Sequence, residues 1–456
     1  MIDFIEKRIQ KLGQKDNTNG KYVLYWMQAS QRIKYNFASD YAILQAQRLD
    51  LPLVVIFFVV PNYNGANSRH YSFMLENILQ IKRKLELMGI TFIVEVADPI
   101  LRLVELSKDA SLLVLDKGYL AVQRNWYEDL FFKTYCPVYQ VEDNELIPVD
   151  AVSTKEEYSA FTLRIKYLKV VRDFISKLEI DKYERNTEQL WNTKNKRLKD
   201  LSFKNIEINS IISTLKTDDS VKYTKNMIRS GEDEAIKQFD DFMNKRLSTY
   251  QTNRNNYTDE NTSRMSAYLH FGQISPIYLV GNLISKYSTD NQVSIISKDY
   301  RLCDSLGLKR DENLESFLEQ LLIRRHLAMN FVSYNKNYTN FRCLPNWAIK
   351  TLVKHKSDKR LHNYTVEQLE NSQTHDKVWN KAQTDLVNNG YMYGYLRMYW
   401  GKKIIEWMSD PEIAYETIVY LNDKYQLMEE ILMVMQRWLG VLVNTIGHGK
   451  KGRYLG

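Results

Sequence analysis

The sequence predicts an α/β amino-terminal domain on a mostly parallel, Rossmann-like sheet, followed by an all-α carboxy-terminal domain. Three observations carry this. Short β-branched apolar runs alternate with amphipathic helical patterns over the first 150 residues; a charged, weakly periodic stretch follows; and beyond Asn261 the apolar spacing is helical almost throughout.

The expected strands are Tyr22–Met27, Leu53–Val60, Ile90–Val94, Leu112–Leu115 and Val138–Val141, each short and bounded by turn residues. Between the second and third, Leu75, Ile78, Leu79 and Leu85 mark a helix over Phe73–Met88. Strands alternating with helices argue for a parallel sheet covered on both faces. No Gly-x-Gly-x-x-Gly follows the first strand, so the usual dinucleotide fingerprint is missing. Residues 152–250 read as a connector with short helices, its Lys/Asn/Asp-rich middle over Asp181–Thr217 running along the surface. In the last part, Leu318, Leu321, Leu322, Leu327 and Phe331 lie at helical offsets, as do Leu396, Tyr399, Trp400, Ile404 and Trp407. The expected domains are therefore 1–151, 152–250 and 251–456.

A chain of 456 residues is long enough for two or three cores, and its 44% apolar and 26% charged shares are those of an ordinary globular protein. No apolar run of membrane-spanning length occurs, and Met1–Gln14 lacks a signal-peptide core, so the expected location is cytoplasmic, or nuclear in a eukaryote. Cys136, Cys303 and Cys343 have neither disulfide-framework nor metal-ligand spacing. No His/Cys/carboxylate cluster has metal spacing either, which argues against hydrolysis by a bound ion. A net charge of +8 is compatible with a polyanionic partner.

The densest feature is aromatic. Thr374–Trp379 is followed by Gly394-Tyr-Leu-Arg-Met-Tyr-Trp400 and then Trp407, seven residues on and so on the same helical face. Read alone, such aromatics fill a core. Ser263 and Ser266, ahead of a helix-forming run, read alone as an N-cap, although hydroxyls and N–H groups there also suit an anion.

An ordered series of segments changes the balance. Tyr25-Trp-Met-Gln-Ala-Ser-Gln-Arg32 with Asn36, Phe73–Leu75, Ile147–Val149, Glu157–Ala160, Arg164–Lys166, Thr262–Gly272, Phe317–Leu321, Arg324–Arg325, Asn330–Phe331 and Tyr420–Tyr425 together resemble the photolyase/cryptochrome family. The branch they resemble is the class II cyclobutane-pyrimidine-dimer photolyases, from about Tyr22 to Leu427. The resemblance implies an antenna-type α/β domain, a helical domain that binds FAD, and an enzyme in which reduced flavin lends one electron under light to a dimer extruded from DNA. A deazaflavin antenna in the first domain, a monomeric state and a damaged-DNA partner belong to the same expectation. Tyr250, Thr262, Ser263, Arg264, Met265 and Ser266 would hold the cofactor, and Asn422 would face the flavin N5. Trp400, Trp379 and Trp407 would form the electron path, from flavin towards solvent, with Tyr399 beside it. Arg324, Arg325 and Arg342 are the candidates for DNA phosphates, with an intramolecular ion pair the alternative for one of them.

The chain also departs from that family. Gln320 stands in place of a pocket glutamate that contacts the dimer; an amide still donates a hydrogen bond but shares no proton. Ala267 replaces a proline, Tyr278 an arginine and His326 a glutamate. After Leu427 the text leaves the family altogether. Codons permitted by Met428–Met435 restore the family text, Asp-Gly-Arg-Asp-Pro-Asn-Gly-Tyr, once one G is placed before them, so a single-base deletion is expected there. The alternatives implied are a cryptochrome-like flavin photosensor, or a remnant without repair activity owing to the altered terminus.

Overall fold

In a computed structural model of the chain, the described residues are 5–175, 217–256, 261–289 and 299–427, less 17, 18, 62, 64, 225 and 226, together with 190, 210–212 and 215. The altered terminus from Met428 and most of the expected surface linker over Asp181–Thr217 lie outside them.

Six strands form one sheet: β1 (Ile9–Leu12), β2 (Tyr22–Met27), β3 (Leu53–Val59), β4 (Thr91–Val96), β5 (Ala110–Asp116) and β6 (Val138–Val141), in the order β1-β6-β5-β2-β3-β4. All neighbours are parallel except β1, which pairs antiparallel with β6. The sequence reading does not include β1. Its residues are only half-buried or exposed, so no apolar run marks it. Alternate residues of the inner strands feed two cores. Leu24, Trp26, Ile56 and Leu113 pack under the helices Pro99–Leu106 and Ala121–Lys133, while Tyr25, Met27, Val55 and Val114 face Phe37–Leu49 and Ser68–Leu87. That second core continues into the carboxy-terminal helices through Leu279, Phe317 and Leu322.

The expected connector holds two helices of ordinary length, Ala160–Ile175 and Glu232–Lys245. Leu163, Tyr167 and Val171 of the first and Ala235, Phe239 and Phe242 of the second are buried at i, i+3/i+4 spacing, diluted in sequence by the charges on their outer faces. Charge density hid an amphipathic pattern.

The segment after β2 docks the two halves. The Asp116 carboxylate accepts from the backbone N–H groups of Gln28, Ala29 and Ser30, and Arg32 donates to the side chain of Asn144 (2.8 Å) and to the Gly272 carbonyl (3.1 Å) across the boundary. Gly272 has φ +64, and a Cβ there would lie 1.8 Å from the Ala29 carbonyl, so only glycine permits this approach.

A second clamp works at helix ends. The Arg69 guanidinium donates to the carbonyls of Val387 and Tyr425 (both 2.6 Å), where helix dipoles favour a cation. His70 beside it has Nδ1 2.9 Å from the Asn67 side-chain oxygen and 3.3 Å from the Asn67 backbone nitrogen, and Nε2 2.8 Å from the Gln426 carbonyl. Burial lowers the His70 pKa to about 4, with smaller contributions from His270 and Arg69. The unfolded chain takes up this proton near pH ~6.5. His70 therefore adds to stability above that value, and the contribution is lost as pH falls towards about 4. Thermal melts at pH 7.5 and pH 5 should show a drop in midpoint that is smaller in His70→Asn; an equal drop in both proteins would contradict it.

Candidate functional site

The carboxy-terminal helices enclose a cavity of about 560 Å³, within the range of small-molecule sites. Three segments build its wall. Tyr250, Arg254 and Asn255 come from the turn after Glu232–Lys245, Thr262–Ser266 from the loop ahead of the Ser266–His270 helix, and Phe317 to Met329 from the long helical run below. Gly394, Tyr395, Arg397 and Met398 close the remaining side from the start of the helix Gly394–Trp407.

The lower wall contains a π-helical stretch, Glu319–Arg324, between the α-helices Glu312–Leu318 and Arg325–Tyr334. A π-turn inserts an extra residue and rotates the following face, a device common at functional sites. Gln320 and Leu321 lie in it and line the cavity, while Leu322 and Ile323 belong to the core. Nothing in the apolar spacing announces this shift.

Of the residues expected to hold the cofactor, Tyr250, Thr262, Ser263, Arg264, Met265 and Ser266 all line the cavity. The helix behind the two serines has only five residues, too few for a useful dipole, and its cap position is Met265 with no capping side chain. The ordinary N-cap reading is thus not what the fold uses. Arg264 has φ 57, in the left-handed region, and Met265 follows in the right-handed one, an alternation that turns successive N–H groups to one side. The Thr262 carbonyl accepts from Arg246 (3.0 Å), which removes one acceptor from the loop.

Asn422 does not line this cavity. It is 5% exposed in the helix Pro411–Tyr425, and its amide donates to Asp423 (3.4 Å); the residues that follow this helix beyond Leu427 are not among those described. Three arginines were expected to face DNA. Arg324 lines the cavity and shares Glu319 with Arg164 (3.1 and 2.6 Å). Arg342 is exposed in the short turn Phe341–Cys343 away from the wall. Arg325 is a correction: at 5% exposure its guanidinium pairs with the buried Glu145 carboxylate and the Asn144 carbonyl, so it faces inward and is spent on joining the domains.

Five arginines reach the cavity wall (Arg254, Arg264, Arg324, Arg325 and Arg397) and His270 joins them, whereas no carboxylate does so among the described residues. Arg397 and His270 are missed by the sequence reading as site residues, since one sits inside an aromatic segment and the other reads as a core histidine. A wall of cations, hydroxyls and a few flat or apolar side chains fits a ligand that joins a phosphate chain to planar rings.

The indoles lie beyond the Gly394–Trp407 wall. Trp379 and Trp400 stack with ring centroids 6.3 Å apart and planes 4° from parallel, and Trp379 meets Trp407 edge-on at 5.4 Å. The contact order is therefore Trp400, Trp379, Trp407, with Trp400 three residues past the cavity-lining Arg397. Hydrogen bonds lock it: Trp379 Nε1 donates to the Trp400 carbonyl and Trp400 Nε1 to Gln383 (both 2.8 Å). Trp407 is the end of the path expected to lead towards solvent. It is 1% exposed, roofed by the edges of Tyr364 (5.1 Å) and His375 (5.6 Å). Tyr399 places its hydroxyl on Asp376, the N-cap of the helix Lys377–Asn389 that carries Trp379, and Lys403 lies 5.8 Å over both its ring and that of Trp407.

Among the described residues no helix is long and apolar enough to cross a membrane, and no group of three or more His, Cys, Asp or Glu could hold a metal ion. Comparison with known proteins gives one answer. The DNA photolyase family model matches residues 23–182. A deoxyribodipyrimidine photo-lyase of Methanothermobacter thermautotrophicus is 35% identical over 422 residues, covering 92% of this chain and 86% of that protein. One of Arabidopsis thaliana is 32% identical, covering 90% and 79%. In fold, the chain matches the crystal structure of an archaeal photolyase from Sulfolobus tokodaii with two FAD molecules, at TM-score 0.64 and 13% identity, over 95% of this chain and 85% of that one.

Proposed function

The chain belongs to the deoxyribodipyrimidine photo-lyase family, and on that premise we propose that it binds FAD in the arginine-walled cavity and splits cyclobutane pyrimidine dimers in DNA under blue or near-ultraviolet light. The carrying observation is the cavity itself, because segments from Tyr250 to Met398 converge on one space whose wall is cationic and free of carboxylates among the described residues.

The chemistry FAD supplies when bound and reduced is a light-driven one-electron loan to the dimer, returned after the ring opens. The protein's own residues do the rest. Arg264 would neutralise and Ser263 and Ser266 would orient the phosphates, with Thr262 anchoring the same loop, and Tyr250, which packs against Phe242 and Phe317 (5.5 and 5.7 Å), lines the same cavity. Gln320 offers an amide to the dimer, where it orients by donating a hydrogen bond but moves no proton. Trp400, Trp379 and Trp407 form a separate route by which the cofactor is reduced before repair begins. Arg324 and Arg342 would take DNA phosphates.

The test uses purified full-length chain loaded with FAD and chemically reduced, with an oligonucleotide carrying one thymine dimer. Dimers should disappear in light and persist in darkness. Stable flavin binding with no light-dependent loss of dimers would sink repair and leave a light sensor; a protein that takes up no FAD would sink the site.

Gln320→Glu restores a carboxyl group to the wall. Repair yield per absorbed photon should rise, while affinity for dimer-containing DNA changes by less than about threefold, the scale of one exchanged hydrogen bond. A fall in yield, read in the same illumination assay, would contradict the role given to Gln320.

A further inference from the structure

We propose that Tyr391 is the positioning residue of the phosphate-holding loop, setting affinity for the phosphate-bearing part of the cofactor and not for its ring. This rests on the FAD reading above and goes beyond it, since no motif singles out Tyr391.

Tyr391 lies in the short link between the helices Lys377–Asn389 and Gly394–Trp407, 129 residues from the loop it touches. Its hydroxyl and that of Thr262 are 2.7 Å apart, and its ring lies under the Arg264 guanidinium at 5.6 Å. One aromatic side chain thus grips both sides of the turn. The turn needs such a grip because Arg264, a long side chain, sits at φ 57, a conformation that persists only where its surroundings impose it. Thr262 is held a second time through its carbonyl, which accepts from Arg246. Tyr393 packs edge-on against Tyr391 at 5.3 Å and keeps its ring in place.

The consequence is preorganisation. With the turn held, the Ser263 and Ser266 hydroxyls and the Arg264 guanidinium stay aimed at the cavity, and binding a phosphate does not also have to order the loop. Without the hydroxyl pair the turn relaxes, and phosphate binding bears that ordering cost. The flavin ring, held at other parts of the wall, is indifferent to it.

Affinities of the full chain for FAD and for riboflavin, which lacks the phosphates, test this by quenching of flavin fluorescence. Tyr391→Phe and Thr262→Val should each weaken FAD by about tenfold, the scale of one lost hydrogen bond, and riboflavin by less than about twofold. The double variant should be no worse than either single one, since both remove the same contact, and Thr262→Ser, which keeps the hydroxyl, should bind FAD like the parent. Equal weakening of both flavins, unchanged FAD affinity in Tyr391→Phe, or multiplied effects in the double variant would overturn the proposal while leaving the FAD site standing. Failure of the parent chain to bind FAD overturns both. Should Tyr391→Phe not fold, Thr262→Val against Thr262→Ser carries the same comparison.

Discussion

Trp379→Phe protein loses light-driven reduction of its flavin, down to the background of a chain with no indole path, yet repairs dimers at the parent rate once reduced chemically. The geometry explains the split. Trp379 is the ring that touches both others, at 6.3 Å to Trp400 and 5.4 Å to Trp407. Trp400 and Trp407 stand seven residues apart on one helix, about 10 Å along its axis, so without Trp379 the hop between them is nearly doubled. Phenylalanine fills most of the space but cannot donate to the Trp400 carbonyl, which costs about 1 kcal/mol of stability and leaves the fold intact. Time-resolved absorbance of the oxidised, FAD-loaded variant after a light flash reads the first half, and the dimer assay on chemically reduced protein the second. Undiminished photoreduction would remove the indoles from the mechanism; impaired repair by reduced protein would show that Trp379 shapes the lesion pocket.

Glu145→Ala destabilises the protein by about 3–5 kcal/mol, the usual consequence of leaving a buried charge without its partner. Glu145 is 1% exposed on the sheet domain and takes the guanidinium of Arg325, while His326 Nδ1 lies 3.3 Å from its other oxygen. Truncation leaves the guanidinium, 5% exposed, without its carboxylate partner. Glu145→Gln keeps an acceptor and the shape, so its loss should be smaller. Urea unfolding followed by tryptophan fluorescence measures both, and a loss below about 1 kcal/mol in Glu145→Ala would show the pair to be nearly neutral. Because Arg325 also belongs to the cavity wall, the same variant should bind FAD more weakly than Glu145→Gln does.

Much of the site was legible because its residues are neighbours in sequence. Thr262–Ser266 form one loop, and Trp400 and Trp407 one face of one helix, so local spacing predicts their company. Trp379 joins them only through helix packing, and the resemblance rather than any periodicity placed it. Asn422 came from the same transfer. Its motif matches, yet its amide meets Asp423 and not the cavity wall. Arg325 was misplaced, and the depth of Trp407 was not legible, for a common reason. Exposure is a property of what packs over a residue, here Glu145 from the other domain and the Tyr364–His375 pair, which lie 180 and 32 to 43 positions away.

The order of strands and helices, the two-part plan and the loop–tryptophan vocabulary of the site follow from the amino-acid sequence, since hydrophobic period and turn chemistry act over a few residues. The antiparallel edge strand, the π-turn under Gln320, the inward fate of Arg325 and the contact of Tyr391 with Thr262 were decided only in the folded chain. Each depends on a partner more than a hundred residues away or on a register shift that costs no change in composition. No local pattern encodes either; packing does.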